Sequence, residues 1–226
     1  RRSFVARPQH DRYHQSIVAL GGGVAIFWTL ALFILGGAAV VRFVIAPGHL
    51  DGWLSLKLLE HTDGFLDRLP ELLVVLGVAL VLHLLGLWDD KKHLGPFFKL
   101  AVQFAAAAVA AVWADVRVEM FIENKIVTTV LSVFWIVLII NVFNFLDNMD
   151  GLSAGIAAIA TAVLMAAAFR SGQVFVGAMG LVFLGTLLGF LVFNFPPATI
   201  FMGDAGSTVV GFFIALLTLR TTYYNP

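Results

Sequence analysis

The sequence predicts an all-α fold, a polytopic helical bundle embedded in a membrane. Composition is the first reason. Of 226 residues, 60% are hydrophobic and 12% charged, about half the roughly 25% charge of a soluble domain. The apolar runs are the second, because they reach the roughly 17–25 residues that a membrane-spanning helix needs and exceed barrel-strand length. The third is where polarity survives. Asp89-Asp90, the stretch from Asn141 to Asp150 and the stretch from Asn194 to Asp204 each lie at the edge of an apolar run. Carboxylates and carboxamides at such places are costly and are usually kept for a site.

Taken in order, the chain opens with a basic, polar segment over 1–16 that reads as a loop and lacks the pattern of a signal peptide. Seven spans follow, near 17–41, 69–88, 97–114, 126–146, 152–169, 174–193 and 207–219, the last of them short. Trp53, Trp88 and Trp113 fall at span edges or in a connection, as interfacial indoles do. The connection over 47–68 carries His49, Asp51, Glu60, His61, Asp63 and Asp67 and reads as a solvated loop. The whole is one membrane domain, 1–226, with polar connections near 88–99, 141–152 and 194–207. Seven crossings put all three connections on the side that holds the N-terminal loop. Lys and Arg divide seven and seven between the two sides, so the positive-inside rule leaves the orientation open.

Net charge is zero and there is no Cys. The first gives no electrostatic footprint for nucleic acid, and the second excludes a disulfide frame and a thiolate metal site. His14, His83 and His93 lack a zinc-like spacing, and His83, inside the second span, reads as a hydrogen-bonded packing residue. Small-residue stretches such as 105–111 and 154–168 suit close helix packing in lipid.

The clusters carry the chemistry. Asp89 and Asp90 close the second span, where two acids oppose a macrodipole that favours cations and repel each other unless compensated. Lys99, about half a turn inside the third span, needs a partner or a watery pocket. Asn141 and Asn144 share a helix face, Asp147 and Asp150 follow at the same interval, and Gly151 lets the chain turn. These Asx side chains exceed what capping one helix requires. Pro196-Pro197 ends the sixth span. Asp204 lies between Gly203 and Gly206 at the start of the seventh, where it or Ser207 could equally serve as an N-cap. Such an oxygen-rich, thiolate-free set suits Mg²⁺ or Mn²⁺. A hard dication with a Lys is common equipment for handling a pyrophosphate.

In this order the segments WDDKKHLGPFFKL, NVFNFLDNMDGLSAG and NFPPATIFMGDAGS resemble those of the polyprenyl-phosphate N-acetylhexosamine-1-phosphate transferases, glycosyltransferase family 4. The N-terminal ARPQHDRYHQSIVALGGGVAIF is similar to that family's basic loop, with its Arg-x-His and paired glycines. The likeness thus covers nearly the whole chain. The NMDG wording looks more like the bacterial undecaprenyl-phosphate N-acetylglucosamine branch than the muramoyl-pentapeptide branch.

The resemblance implies transfer of a sugar 1-phosphate from a UDP-sugar to polyprenyl phosphate, releasing UMP and starting a cell-envelope polysaccharide. It implies Mg²⁺ held by Asp204 with Asn144, and Asp89 and Asp90 beside the lipid phosphate, one of them as base. It also implies Lys99 on a phosphate, Phe201 against uracil, Asp150 and Asn194 on the uridine part, Asn141 and Asp147 lining the pocket, and His14 in substrate binding. The implied setting is the bacterial cytoplasmic membrane, active face inward, among membrane lipids, and a homodimer is compatible with it. Family members usually have about ten spans. This chain is therefore expected to be a fragment lacking the family's C-terminal part, and to be inactive alone; turnover by the 226 residues would refute that. Ala6 and Ala19 stand where many members carry Asp and Pro. The rival reading is an ion-coupled secondary transporter using the same acids. Such sites lie near the bilayer midplane, whereas these clusters sit at span ends.

Overall fold

The structure, a computed structural model, describes residues 5–6, 18–49, 52, 59, 61–118 and 122–221. Strands β1 (Val5–Ala6) and β2 (Val18–Leu20) precede α1 (Gly22–Val40), which continues as a wide π-type turn over Val41–Ile45. Next come α2 (Thr62–Asp67), α3 (Leu69–Lys91), α4 (Pro96–Trp113) and α5 (Lys125–Leu146). Then α6 (Leu152–Arg170), α7 (Val174–Asn194), β3 (Ile200–Phe201) and α8 (Asp204–Thr221) complete the order. Seven of these segments are long and apolar enough to cross a membrane. The all-α, multi-pass reading therefore holds.

Local chemistry sets the boundaries. Pro70 and Pro96 stand in the first turns of α3 and α4, where a missing N–H costs no helical bond. The side chain of Asn124 caps α5 by accepting the N–H of Ile126 at 3.0 Å and of Val127 at 3.3 Å. Gly151 enters α6 at φ +72°, a left-handed conformation that glycine adopts without steric penalty.

Three boundaries differ from expectation. The first span starts at Gly22 rather than 17, because residues 18–20 form a strand, and it runs on to Ile45. β2 pairs antiparallel with β1 and parallel with β3, in register Ala19↔Ile200 and Leu20↔Phe201. The connection over 47–68 contains a short helix, α2. The seventh span is a full 18 residues, beginning at Asp204 and ending at Thr221.

That last helix is the axis of the bundle. It packs against α1, α3, α5, α6 and α7, and 78% of it is buried, compared with 28–50% for the other spans. It is also the least apolar of the seven. A helix sheathed by other helices needs small and mixed side chains for close packing, not a lipid-soluble exterior. Large apolar residues left open on the outer helices, such as Phe33, Phe145 and Val192, suit contact with lipid.

Candidate active site

Asp89, Lys99 and Asp204 form a chain of ion pairs at one end of the bundle. The Lys99 Nζ donates to Asp89 Oδ2 at 2.9 Å and to Asp204 Oδ2 at 2.6 Å. Lys99 lies in the first turn of α4, Asp89 in the last turn of α3 and Asp204 at the start of α8. The even number of crossings between these residues brings three helix ends to one place. The partner that Lys99 needed is thus a pair of carboxylates. Their exposures, 10% for Asp89, 21% for Lys99 and 27% for Asp204, describe a cluster open on one side.

Asn144 of α5 completes the group. Its Nδ2 donates to Asp204 Oδ1 and to Ser207 Oγ, both at 2.9 Å. The carboxylate of Asp204 is therefore held at both oxygens, one by Lys99 and one by Asn144. Asp89 is likewise fixed, its Oδ1 accepting the Leu94 N–H at 2.7 Å.

Asp90 faces elsewhere. Its Oδ1 accepts the backbone N–H of Asp204 at 3.0 Å and its Oδ2 that of Ala205 at 3.2 Å. Those are orphan donors at a helix start, so Asp90 caps α8 from another helix. The unfavourable macrodipole of α3 is offset here by the favourable one of α8. Gly203, at φ +68°, backs onto this carboxylate, and a Cβ there would come within 2.9 Å of Asp90 Oδ2. Both oxygens of Asp90 are thus engaged by backbone. That geometry gives it a positioning role at the start of α8.

The remaining expected residues lie at several places around this centre. Asn194 is buried, its Oδ1 accepting the Gly151 N–H at 3.0 Å and its Nδ2 donating to the Ile200 carbonyl at 2.9 Å. Asp150 Oδ2 accepts the Ala198 N–H at 2.9 Å. Together they staple the second polar connection to the third. Asn141 donates to Gln103 Oε1 at 2.7 Å and to the Val137 carbonyl at 2.8 Å. Phe201 lies in β3, beside β2, and Asp147 follows the end of α5. His14 lies outside the described residues. Sequence reasoning missed Gln103, although its position one helical turn after Lys99 in an apolar run was a usable signal.

The donor set fits a hard dication with few protein ligands. Among the described residues no group of three or more His, Cys, Asp or Glu closes into a metal cage. Mg²⁺ rarely asks for one, since it commonly takes one or two carboxylates and fills its octahedron with water and phosphate oxygens. Asp204 and Asp89 supply such carboxylates, and Asn144, whose Nδ2 is engaged, could offer only Oδ1. With three Asp and one Lys the cluster carries a formal charge of −2. A polyanion would be repelled unless a dication came with it.

These features define a multi-pass membrane protein with an acid–lysine–acid centre at one end of its helices. The chain belongs to glycosyl transferase family 4, whose sequence profile matches residues 72–222. It is 30% identical over 227 residues to a Bacillus subtilis protein named as a probable undecaprenyl-phosphate N-acetylglucosaminyl 1-phosphate transferase, covering 97% of this chain and 56% of that one. An undecaprenyl-phosphate alpha-N-acetylglucosaminyl 1-phosphate transferase of Thermotoga maritima is 29% identical over 214 residues, 94% of this chain and 55% of the relative. A phospho-N-acetylmuramoyl-pentapeptide-transferase of Latilactobacillus sakei is 31% identical over 194 residues, 78% of this chain and 58% of the relative. The chain thus spans somewhat over half the length of these relatives.

Proposed function

We propose that this chain carries the acid–lysine centre of an enzyme that transfers a sugar 1-phosphate, N-acetylglucosamine 1-phosphate in this reading, from a UDP-sugar to polyprenyl phosphate. The observation that carries the proposal is Lys99 bridging Asp89 and Asp204 at the membrane-helix ends. In the reaction an oxygen of the lipid phosphate bonds to the β-phosphorus of the donor. The bond from that phosphorus to the bridging oxygen breaks, and UMP leaves. Three anionic phosphates must meet, and positive charge placed at the developing bonds is the main requirement.

Asp204 and Asp89, with Asn144 Oδ1, would hold Mg²⁺ or Mn²⁺, which when bound supplies charge neutralisation at the donor phosphates. Lys99 would exchange a carboxylate oxygen for a phosphate oxygen as the donor arrives, keeping its charge beside the reacting groups. Asn144, itself anchored on the Ser207 hydroxyl, keeps Asp204 aimed during that exchange. The lipid phosphate's second pKa is about 6, so near neutrality it is mostly ionised and a general base adds little. Asp89 accordingly organises Lys99 rather than accepting a proton. In this reading the cluster faces the bacterial cytoplasm, where nucleotide sugars are found. The siting of the acids at span ends weighs against a midplane transport site.

The test is incubation of membranes carrying the full-length gene product with labelled UDP-sugars, polyprenyl phosphate and Mg²⁺. UMP release with a butanol-soluble sugar product, abolished by Asp204→Asn, is expected. Gradient-driven uptake of a solute without UMP would overturn the proposal in favour of a transporter.

A further inference from the structure

We infer that His83 is a positioning residue for Asp204, holding the first turn of α8 through its imidazole N–H. The inference rests on the reading of Asp204 as the cation-holding acid. His83 is 1% exposed in the middle of the bundle. Its Nδ1 lies 3.0 Å from the carbonyl oxygen of Ala205, the residue next to Asp204. A carbonyl can only accept, so Nδ1 carries the proton and Nε2 is left as an acceptor. Among the described residues that buried Nε2 has no hydrogen-bond partner.

An unpaired buried acceptor is unfavourable, and each such group calls for a reason. Packing does not supply one. The ring stacks on Phe27 of α1, with centroids 4.6 Å apart and planes at 12°. A phenyl ring would fill that slot without a stranded nitrogen. What only the imidazole adds is the bond to Ala205.

That bond belongs to a stripe along α3. His83, Gly86 and Asp90 recur at intervals of three and four and so share one helix face. Gly86 lies where a Cβ would overlap the Ala205 backbone, and Asp90 takes the N–H groups of Asp204 and Ala205. Helix α3 thus grips the opening turn of α8 by its N–H groups, its backbone and a C=O. Asp89, on the same helix, then meets Asp204 across Lys99 in one fixed register. Without the His83 contact the turn keeps its Asp90 cap, its packing on Gly86 and a longer, 3.4 Å contact from the Thr208 hydroxyl to the Leu82 carbonyl. It loses the 3.0 Å restraint on the Ala205 carbonyl, and the carboxylate gains freedom relative to Asp89.

Two variants of the full-length protein separate this role from packing. His83→Phe keeps a stacked ring and removes the donor. His83→Asn places an amide N–H on the atom that follows Cγ, as Nδ1 does, and removes the stack. Mn²⁺ binding, followed by electron paramagnetic resonance, is the readout independent of turnover. His83→Phe is expected to melt at or above the wild-type temperature, yet to bind Mn²⁺ about tenfold more weakly and turn over about tenfold more slowly. His83→Asn is expected to melt lower and still stay within about threefold of wild type in both. Wild-type Mn²⁺ affinity in His83→Phe, or equal impairment in His83→Asn, overturns the inference. So does wild-type protein whose Mn²⁺ binding does not depend on Asp204. Protein that binds Mn²⁺ through Asp204 and transfers no sugar phosphate overturns the transferase reading instead, and the Mn²⁺ comparison still judges His83.

Discussion

Asp90 and Asp204 are 114 residues apart, and the carboxylate of the first accepts the backbone N–H of the second at 3.0 Å. The contact turns one acid of an adjacent pair into a helix cap supplied from a neighbouring helix, while Asp89 faces the lysine. Adjacent residues on a helix point about 100° apart, so one dipeptide serves two different neighbours. Replacing Asp90 therefore acts on α8 before it acts on chemistry. Asp90→Ala is expected to destabilise the protein by about 1–3 kcal/mol, as loss of charge-assisted bonds to a helix start does. Asp90→Asn, which keeps one acceptor oxygen, is expected to lose less. Thermal melting in detergent measures both, and equal melting temperatures for Asp90→Ala and wild type would contradict the capping role.

Asp89 tests the question of a base. If it organises Lys99, the rate deficit of Asp89→Asn persists at every pH at which the protein stays folded. If it removes a proton from the lipid phosphate, the deficit disappears above about pH 6, where that phosphate is already ionised. UMP release measured across that interval separates the two, and a vanishing deficit would establish base catalysis.

Lys99→Met leaves Asp89 and Asp204 facing each other with no cation between them. Removing one member of a fully buried ion pair costs roughly 3–5 kcal/mol. Here Lys99 and Asp204 keep 21% and 27% exposure, so screening reduces the expected loss to about 1–2 kcal/mol. Turnover is expected to fall by at least about 100-fold at saturating Mg²⁺, because positive charge at the reacting phosphates is lost. Near-normal UMP release by this variant would remove Lys99 from the centre.

Gly211 lets α5 and α8 come together. A Cβ at that position would lie 2.7 Å from Ile140 Cα, one turn from Asn144 on the same helix. Gly211→Val should push the helices apart, cost about 1–3 kcal/mol or more, and weaken the Asn144 hold on Asp204. Gly36, with nothing within 4 Å of its hypothetical Cβ, provides the contrast. Gly36→Ala is expected to be neutral or to stabilise by up to about 1 kcal/mol. Parallel melting curves and UMP assays report the difference.

At the opposite end, Arg220 ties three helices by donating to Glu71 Oε2 at 2.9 Å and to the Ala114 carbonyl at 2.5 Å. Arg220→Met is expected to lower stability by about 1–3 kcal/mol while UMP release per folded molecule stays unchanged. A specific loss of turnover would show that this end communicates with the acid cluster.

Much of this could be read in one dimension. Span number, the side shared by the polar connections and the presence of Asp89, Lys99, Asn144 and Asp204 near one another follow from hydropathy and crossing parity. Other assignments could not be read that way. Asn194 and Asp150, which the family resemblance sets on the uridine part, also bond in the structure to the Gly151 and Ala198 N–H groups, contacts that no local pattern announces. A polar side chain reserved for substrate and one that satisfies a distant backbone group are spelled alike. The place of Gln103 one turn after Lys99 marks it in the sequence, but its partner Asn141, 38 residues away, does not follow from that spacing.

Run length and charge placement record how each segment would partition into lipid, and they carry the count of crossings and the grouping of acids at one bilayer face. They say nothing about which neighbours a helix meets. Placing α8 at the centre, turning Asp90 toward its N-terminus and aiming Lys99 between two carboxylates all depended on how the helices rotate and approach one another. Those angles arise from contacts between residues scores of positions apart, and no local pattern encodes them.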